Sequence, residues 1–514
     1  MKMKYIFYLV TGLLLGSTTS CDDWLNIEQD TEKKAENMYD NYSGFQGALA
    51  GCYFDLAKTD LYGMRLSMAD TEALAGLWYI DISKSANRIM DADYYLTQHD
   101  YNHAYSVEAI KKIYGGLYNA ILEANNVLKG CKKHGHNVPF PKSRAVIEGE
   151  AYAFRAFCHL DVLRLFGQMP KNATIKVSLP YSETTSLEEV PAYYTYEDFV
   201  KKLEADFENA LLLMKDNDPA YADYSYKQLW ADKGNKEAVS LEDDFMMNRR
   251  YRLNYWAVKA LQARMYMYIG NTEKAHDLAM EVIQAKLSDG RSVVTLSSDK
   301  DYGTTGTDFV SSSECLFMLY MNDLYSISVP LLAGGETEVG SDYYMQVDLK
   351  DNLVVHKDWF PELFPNVNTA TDIRYKRMWS RTITSQKFEY PTIRKYYIYK
   401  SNDASSGKGF IPIVRLSEMY LIAIETAGTL TEATQLYTDY MLSKGVVVHD
   451  AFTSMEDMKK VLEAEFRIEF FAEGQMFFYY KRNNVTTLWS KPNASMSEND
   501  YILPLPSTEF NPNK

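Results

Sequence analysis

Apolar residues recur at helical spacing along most of this 514-residue chain, and that periodicity constrains the fold more than any other feature. In the first such stretch, Phe45, Leu49, Cys52 and Leu56 fall on one face of a helix. Similar stripes predict helices over 43–57, 107–130, 144–166, 196–214, 254–269, 272–286, 412–427, 431–442 and 454–474. We therefore expect a mainly α-helical protein.

Two of the predicted helix pairs resemble tetratricopeptide hairpins. The small and aromatic positions of such a repeat are matched, at spacings of 3, 9, 4 and 3, by Ala263, Tyr266, Ala275, Ala279 and Val282. A weaker match lies around 428–433, where Gly428 precedes Ala433 as Gly270 precedes Ala275. Because a free solenoid needs at least about three repeats, these two hairpins are predicted to pack against other structure.

Three long segments interrupt the helical pattern, at about 216–248, 288–312 and 323–410. Gly, Ser, Asn and Asp are frequent there, and only the stretch 392–400 reads as a strand. The segments are also rich in Tyr and Trp, which disfavours disorder. Since long ordered loops are usually functional, we expect these segments to contribute to function.

The N-terminus has the pattern of a secretory signal. Lys2 and Lys4 precede an apolar stretch, and small residues then lead to Cys21. A cysteine in this position resembles a lipobox, so residues 1–20 are predicted to be removed and Cys21 to be acylated. The alternative is an ordinary signal in which Cys21 is incidental. No later segment offers 18 uncharged apolar residues, so the mature chain is expected to be anchored rather than to span the membrane.

Composition excludes some classes of partner and suggests another. The formal charge of −15 argues against nucleic acid, which needs a basic surface. The chain holds 41 Tyr, more than a core requires, because each buried hydroxyl needs a hydrogen-bond partner. The large number of tyrosines is explained either by hydrated contacts between helices or by a surface that stacks on ligands.

Four cysteines follow Cys21, namely Cys52, Cys131, Cys158 and Cys315. Their spacing matches no disulfide framework and includes no Cys-x-x-Cys motif. The first three lie in helical patterns and are interpreted as small buried apolar residues. Whether any of the four form disulfides stays open.

Motifs for catalysis are absent from the sequence. His99 and His103 have the spacing of two zinc ligands on a helix, but no glutamate follows His99 as a His-Glu-x-x-His motif requires. There is no Gly-x-Ser-x-Gly elbow, phosphate-binding loop or dinucleotide-binding fingerprint. With 69 acidic residues, a carboxylate pair for glycoside hydrolysis is not excluded. We predict a protein that is not an enzyme and has no cofactor or bound metal, with calcium left open.

The segment EGEAYAFRAFCHLDVLRLFGQMP (148–170) resembles the signature helix of the SusD/RagB family of outer-membrane nutrient-binding lipoproteins. The family pattern is matched by Glu150, Ala151, Arg155, Ala156, Asp161, Phe166, Gly167 and Pro170, with Val162 where leucine is usual. Further collinear matches are CDDWLNI after the signal, 44–56, the hairpin 256–283, 412–427, 463–482 and 501–510. The resemblance therefore extends along the whole mature chain.

One motif departs from the family pattern. Within 463–482 the chain keeps the glutamates and Arg482, but it has Phe466, Gln475 and the pair Tyr479–Tyr480 where Arg, Arg and Asp-Leu are usual. This resembles a divergent branch, so a specificity for starch does not carry over.

The charged residues of these motifs are interpreted as structural. Arg155 and Asp161 lie six positions apart and cannot pair on one helix face, so each is expected to bond another helix or a loop. A stripe of like charges is formed at i, i+4 and i+8 by Glu465, Glu469 and Glu473. Such a stripe requires facing cations, for which Arg415 and Arg482 are the candidates; the alternative is a divalent-ion or acid–base site.

The resemblance implies a SusD-like fold: tetratricopeptide-like hairpins supporting a loop-rich ligand-binding half, with 21–514 as one domain. It further implies capture of an oligosaccharide or other nutrient at the outer face of the outer membrane, and its delivery to a SusC-like TonB-dependent transporter. The alternatives are capture of a peptide or glycopeptide on the same scaffold, and a surface glycoside hydrolase.

Ligand-binding residues of the family carry no motif, so we select aromatic residues outside helical stripes and near turn formers. These are Trp78, Tyr79, Tyr302 and Tyr325. Trp78 and Tyr79 follow Gly76, and the other two lie in KDYGTTGTD and MNDLYS. For Trp78 the alternative is a core residue that caps the interior from a loop.

Overall fold

The fold is taken from a computed structural model of the chain. It describes residues 37–80, 90–231, 234–302, 310–332, 335–339, 342–346, 351–364, 371–381, 391–396, 409–449, 451–491 and 494–510. The predicted signal segment 1–20 and the predicted acylation site Cys21 lie outside these residues.

The described part of the chain is mainly helical. Its α-helices are α1 (Tyr42–Leu56), α2 (Asp70–Leu74), α3 (Ala92–Leu96), α4 (Ala104–His134), α5 (Pro141–Phe166), α6 (Tyr196–Met214), α7 (Tyr255–Ile269), α8 (Thr272–Gln284), α9 (Leu324–Leu332), α10 (Phe360–Leu363), α11 (Ile373–Met378), α12 (Leu416–Glu425), α13 (Leu430–Ser443), α14 (Met455–Phe470) and α15 (Met476–Asn483). Side-chain caps fix several of the starts, as where Asn254 accepts from the N–H of Ala257 and Ser454 from that of Asp457.

Strands are short and pair antiparallel in two-stranded sheets. They are β1 (Leu179–Pro180) with β2 (Tyr193–Tyr194), β3 (Cys315–Tyr320) with β8 (Phe410–Arg415), β4 (Gly335–Val339) with β5 (Asp342–Gln346), and β6 (Trp379–Arg381) with β7 (Pro391–Ile393). The β3–β8 pair aligns Cys315 with Arg415 and Tyr320 with Phe410, and β8 leads directly into α12.

Seven helices pack in a row, each against the next, in the order α4, α5, α6, α7, α8, α12 and α13, while α1 covers α4. The signature helix α5 lies inside this row, and every residue from Ala153 to Phe166 is buried. The row is longer than the two hairpins predicted from sequence, because α4 and α5 exceed the length of repeat helices and hide the repeat period.

The predicted hairpin at 254–286 is confirmed. Helix α7 ends at Gly270, whose φ of +86° closes the turn as a left-handed cap, and α8 begins two residues later. Ala263, Ala275 and Ala279 are fully buried where the two helices pack. Small side chains at these positions allow the backbones to approach closely.

Two predicted helix boundaries are wrong. The helix expected to start at residue 412 starts at Leu416, because residues up to Arg415 pair with β3 as strand β8. The helix expected to continue to residue 474 ends at Phe470, and Ala472 and Gly474 then adopt positive φ values of 63° and 71°. The strand expected over 392–400 is described only as β7, and residues 397–400 lie outside the described residues.

None of the helices in the described residues is both long enough and apolar enough to span a bilayer. The three cysteines expected to be buried, Cys52, Cys131 and Cys158, are buried, as is Cys315, and all four carry free thiols.

Candidate functional site

Four half-buried rings meet at the surface of the loop-rich half, and we call them the aromatic cluster: Tyr79, His356, Trp359 and Trp489. The Tyr79 ring centroid lies 4.5 Å from that of His356 and 5.7 Å from that of Trp359. Trp359 in turn lies 5.8 Å from Trp489, with the two planes at 64°. Edge-to-face geometries of this kind are favourable and leave ring surface partly exposed to solvent.

Hydrogen bonds to main-chain carbonyls hold the three separate segments of the aromatic cluster together. The N–H of Tyr79 donates to the carbonyl of Val354 at 2.8 Å, which joins the loop after α2 to the segment that carries His356 and Trp359. The Ser490 hydroxyl donates to the carbonyl of Gly76, next to Trp489. Gly76 has φ +67°, and a Cβ there would lie 2.8 Å from Ser490 Oγ, so this close approach requires glycine.

A second, buried layer of rings supports the aromatic cluster. Phe471 lies between Trp78, at 5.1 Å, and Trp379, at 5.0 Å. The indole N–H of Trp78 donates to the carbonyl of Met68 at 3.0 Å, which fixes its orientation. Phe360, the neighbour of Trp359, lies 5.2 Å from Trp379, so the buried rings adjoin the segments that carry Tyr79 and Trp359.

Polar groups surround the exposed rings. The Arg467 guanidinium lies 4.8 Å from the Trp489 ring, and its Nη2 also donates to Glu463 at 3.0 Å. Arg467 and the Trp489 indole N–H are buried, and the indole N–H has no hydrogen-bond partner among the described residues. Lys357 and Asp358 are exposed between His356 and Trp359. Ring faces with donors and acceptors at their edge suit a ligand that has both apolar surface and hydroxyl groups.

The two adjacent sequence-predicted residues lie on different sides of the loop after α2. Tyr79 is half-buried and belongs to the aromatic cluster. Trp78 is only 3% exposed and lies in the supporting layer, so the expectation that it presents a stacking surface is corrected in favour of the core alternative. The indole donates to the Met68 carbonyl and packs edge-to-face on Phe471, so its ring is not accessible to a ligand.

The other two predicted residues lie apart from the aromatic cluster. Tyr302 is 1% exposed, and its hydroxyl bonds that of Ser311 at 2.6 Å, so its expected role as an exposed stacking residue is also corrected. Tyr325 is half-buried in the first turn of α9. Its predicted ligand contact stays a prediction.

His356, Trp359 and Trp489 were not selected from the sequence. The same criterion, an aromatic residue outside a helical stripe and beside turn-forming or polar residues, applies to all three in HKDWF and TTLWS. What the sequence did not show is that positions 79, 356 and 489 converge.

The acidic stripe of α14 and the turn after it is part of a buried ion-pair network. It joins the carboxylates Glu314, Asp372, Glu465, Glu469 and Glu473 to the cations Arg374, Lys395, Arg415 and Lys444. Arg415, at the end of β8, contacts Glu469 at 2.5 Å and Glu473 at 2.8 Å, as expected. Arg482 does not take part, contrary to expectation, because Glu425 binds both of its terminal nitrogens.

The pKa of each acid in the ion-pair network depends on which cations surround it. Burial alone would raise the pKa of Glu469, but the surrounding Lys444, Arg415 and Arg374 hold that pKa well below its usual value. Burial raises the pKa of Glu465, against the opposing effect of Arg374. The carboxylates of the stripe are already paired with cations of the protein, which disfavours a role in binding a divalent ion.

The signature-helix charges bond as expected. Arg155 binds both oxygens of Asp206 on α6, at 2.7 and 2.6 Å, and donates to Asn125 on α4 at 2.9 Å. Asp161 accepts from the Tyr62 hydroxyl and from Arg164. Arg155 thus fastens α5 to both of its neighbours in the helical row.

The paired histidines have separate contacts. His99 Nε2 lies 3.0 Å from the carbonyl of Leu74, while His103 caps α4 and stacks on Tyr95 at 3.4 Å. In the parts of the chain that the structure describes, no group of three or more His, Cys, Asp and Glu side chains is placed to hold a metal ion.

A separate groove of about 320 Å³ lies at the start of α5, lined among others by Pro141, Tyr224, Asp243 and Met246. Asp243 accepts there from the hydroxyls of Tyr42 and Ser143, both at 2.5 Å. These partners satisfy the carboxylate within the protein, and the groove shares no residue with the aromatic cluster.

Comparison with protein families gives a match over 200 of the 514 residues. Residues 68–267 match a SusD-like family whose description is "Starch-binding associating with outer membrane". This segment contains Tyr79, the signature helix α5 and helix α7.

Individual proteins agree with this match. A curated SusD-like protein of Formosa agariphila is 23% identical over 286 residues, which is 55% of this chain and 46% of that protein, so the match spans about half the length of the relative. The crystal structure of a SusD superfamily protein from Bacteroides thetaiotaomicron has a TM-score of 0.67 at 20% identity, covering 92% of this chain and 98% of the other. Surface glycan-binding protein A from Bacteroides uniformis gives a TM-score of 0.65 at 16% identity, covering 91% and 97%. At these identities the solved structures establish the fold.

Proposed function

We propose that the chain is a member of the SusD/RagB family, since the family model that matches it is described as associating with the outer membrane, and that it is a cell-surface lipoprotein that captures an oligosaccharide on the aromatic cluster. It then delivers the ligand to a SusC-like TonB-dependent transporter. The protein acts by binding and not by catalysis.

The observation that carries the proposal is the half-buried arrangement of Tyr79, Trp359 and Trp489. The C–H faces of sugar rings are apolar and stack on flat aromatic rings, while their hydroxyls need hydrogen-bond partners. The exposed side chains of Lys357 and Asp358, between His356 and Trp359, supply such partners beside the rings.

The course of helix α4 supports access to the aromatic cluster from outside. The described chain begins beside the C-terminal end of α4, where Asn137 donates to the carbonyl of Tyr39 at 3.0 Å. At the N-terminal end of α4, Lys491 donates to the carbonyl of Thr97, two residues from Trp489. With 31 residues, α4 separates these ends by about 45 Å. The aromatic cluster therefore lies far from the point where a lipid-anchored N-terminal segment would enter the fold.

Anchoring also serves delivery. Acylation of Cys21 would confine the protein to the membrane surface that holds its transporter. Confinement raises the effective concentration of each partner for the other, so a modest affinity between them is sufficient.

The proposal is tested with a glycan array and calorimetric titration of the form that starts at Asp22. We expect at least one oligosaccharide to bind, and Trp359→Ala to weaken its affinity by roughly 5- to 30-fold, as loss of one stacking residue of about 1–2 kcal/mol predicts. Unchanged unfolding midpoints for the variant would assign the loss to binding.

Trp230→Ala is the matched control. Trp230 is 37% exposed and lies in the loop between α6 and α7, outside the aromatic cluster, so its removal should leave affinity unchanged. If both variants bind the glycan like the parent protein, the aromatic cluster is not the site. Binding of peptides but of no glycan would favour the peptide-capture alternative, and turnover of a bound glycan would favour the hydrolase.

The anchor and the partner are tested separately. Cys21→Ala should abolish labelling with palmitate and release the protein from the membrane fraction. Affinity purification of the parent protein from solubilised outer membranes should recover a TonB-dependent transporter. A Cys21→Ala chain that still takes up palmitate would contradict the anchor, and a parent protein that is purified alone would contradict the partnership.

A further inference from the structure

Three buried polar atoms that lack partners belong to residues that line one small cavity. They are Arg164 Nε, Arg264 Nη1 and Tyr268 Oη, and none has a hydrogen-bond partner among the described residues. The three side chains belong to residues that are 2%, 4% and 2% exposed. Unpaired buried polar groups are costly, and a group of them around one space is unusual.

The cavity lies where the helical row meets the C-terminal helices. Arg164 comes from α5 and Arg264 and Tyr268 from α7, one helical turn apart, while Glu418, Gln475 and Arg482 close the other side. Its volume is about 30 Å³. That is room for one or two water-sized particles and excludes a sugar or an oxyanion as large as phosphate.

The remaining atoms of both guanidinium groups are already engaged, which fixes the free donors in place. Arg264 binds both oxygens of Glu418, at 2.7 and 2.6 Å, and also donates to the carbonyl of Ile413 at 2.6 Å. Arg164 donates to Gln475 at 3.1 Å and to Asp161. Neither side chain can turn its unpaired N–H toward another acceptor without breaking these bonds.

The unpaired atoms have the same chemical character. An arginine N–H only donates, and a tyrosine hydroxyl can donate, so the cavity presents donors and requires an acceptor. Each of the three guanidinium groups in its lining is paired with a carboxylate, Arg264 with Glu418, Arg164 with Asp161 and Arg482 with Glu425, and the N–H groups left over are donors. A water molecule has two lone pairs and accepts from two of the three donors, whereas a monatomic anion accepts from all three.

We propose that this cavity is a binding site for one halide ion, chloride under physiological conditions, which joins helix α5 and helix α7 to the C-terminal helices. Because the ion would bind the folded chain and not the unfolded chain, it stabilises the fold in proportion to its concentration. The site is independent of the glycan-binding proposal, since it shares no residue with the aromatic cluster.

The test is thermal unfolding of the full chain in non-ionic detergent, with sodium chloride exchanged for sodium gluconate at constant ionic strength. Chloride and bromide should raise the unfolding midpoint along a saturating curve. Tyr268→Phe removes one donor without changing the packed volume and should shift the curve to roughly tenfold higher chloride. Crystals grown with bromide should show anomalous scattering inside the cavity.

Tyr266→Phe is the matched control on the same helix. The Tyr266 hydroxyl accepts from Lys274 at 3.1 Å and does not line the cavity, so this variant should keep the parental halide curve. A midpoint that is indifferent to halide, or ordered water in place of bromide in the cavity, would overturn the proposal. An unshifted curve for Tyr268→Phe would overturn it as well.

Discussion

Replacing Trp78 by alanine should destabilise the fold strongly while affecting ligand affinity only through unfolding. Its side chain is 3% exposed and packs on Phe471 at 5.1 Å, so truncation removes a buried ring and leaves a cavity. Changes of this kind cost about 3–5 kcal/mol. The loss should fall toward the upper end of that range, because the Met68 carbonyl, which accepts from the indole at 3.0 Å, is left without its partner.

Urea unfolding of the form that starts at Asp22, followed by far-ultraviolet circular dichroism, measures this loss. Trp78→Phe separates its two components, because phenylalanine keeps most of the ring contact with Phe471 but cannot donate to Met68. Trp78→Phe should lower the free energy of unfolding by roughly 1–3 kcal/mol, because it leaves a buried acceptor unpaired and reduces packing.

The neighbouring residue supplies the opposite expectation. Tyr79 is half-buried and its main-chain bond to Val354 survives substitution, so Tyr79→Ala should change the free energy of unfolding by only about 1 kcal/mol or less. The affinity of the Tyr79→Ala variant for a glycan should fall. If Trp78→Ala unfolds at the parental urea concentration, or if Tyr79→Ala is the more destabilised of the two, the division into a supporting and an exposed layer is wrong.

Three further predictions concern the scaffold. Ala263→Leu should overpack the α7–α8 contact and lower the free energy of unfolding by about 1–3 kcal/mol, and an unchanged urea midpoint would contradict the hairpin register. Arg415→Met should cost roughly 3–5 kcal/mol by the same assay, because Glu469 and Glu473 lose a buried partner; a variant as stable as the parent would show that the ion-pair network is dispensable. Burial raises the pKa of Glu72 to about 8, so its contribution to stability is complete below about pH 4.5 and is lost as the pH rises to 8. Glu72→Gln should therefore be more stable than the parent by roughly 4 kcal/mol above pH 8 and equal to it below pH 4.5, and parallel pH profiles of the two proteins would refute this.

The helices were predictable because their signals are local. Apolar spacing located α1, α4, α5 and α6 to within a few residues of the observed bounds, and the cap at Gly270 is a one-residue signal. The start of α12 was missed because the residues up to Arg415 form a strand only through their partner β3, about 95 positions away. Strand pairing at that distance leaves no periodicity within the segment itself.

Partners in the buried ion-pair network were only partly predictable for the same reason. The stripe of glutamates on α14 required cations, and Arg415 was a correct choice. Arg374, however, lies in the short helix α11 and Lys395 just after strand β7, both within the segment 323–410 in which the sequence shows no regular helical pattern. Arg482 was a reasonable candidate by sequence distance, but Glu425 lies closer to it in space.

At the candidate site, sequence reasoning could define alternatives that only packing decides. Trp78 and Tyr79 are adjacent in an extended segment, where successive side chains point to opposite sides. One of the two rings had to face inward, and nothing within the segment states which one. The choice is made by Phe471 and Met68, which receive Trp78, and by Val354, whose carbonyl fixes the Tyr79 backbone beside Trp359. Each of these contacts except that with Met68 comes from a part of the chain hundreds of residues away, so the inward ring is a property of the assembled fold and the exposed ring follows from it.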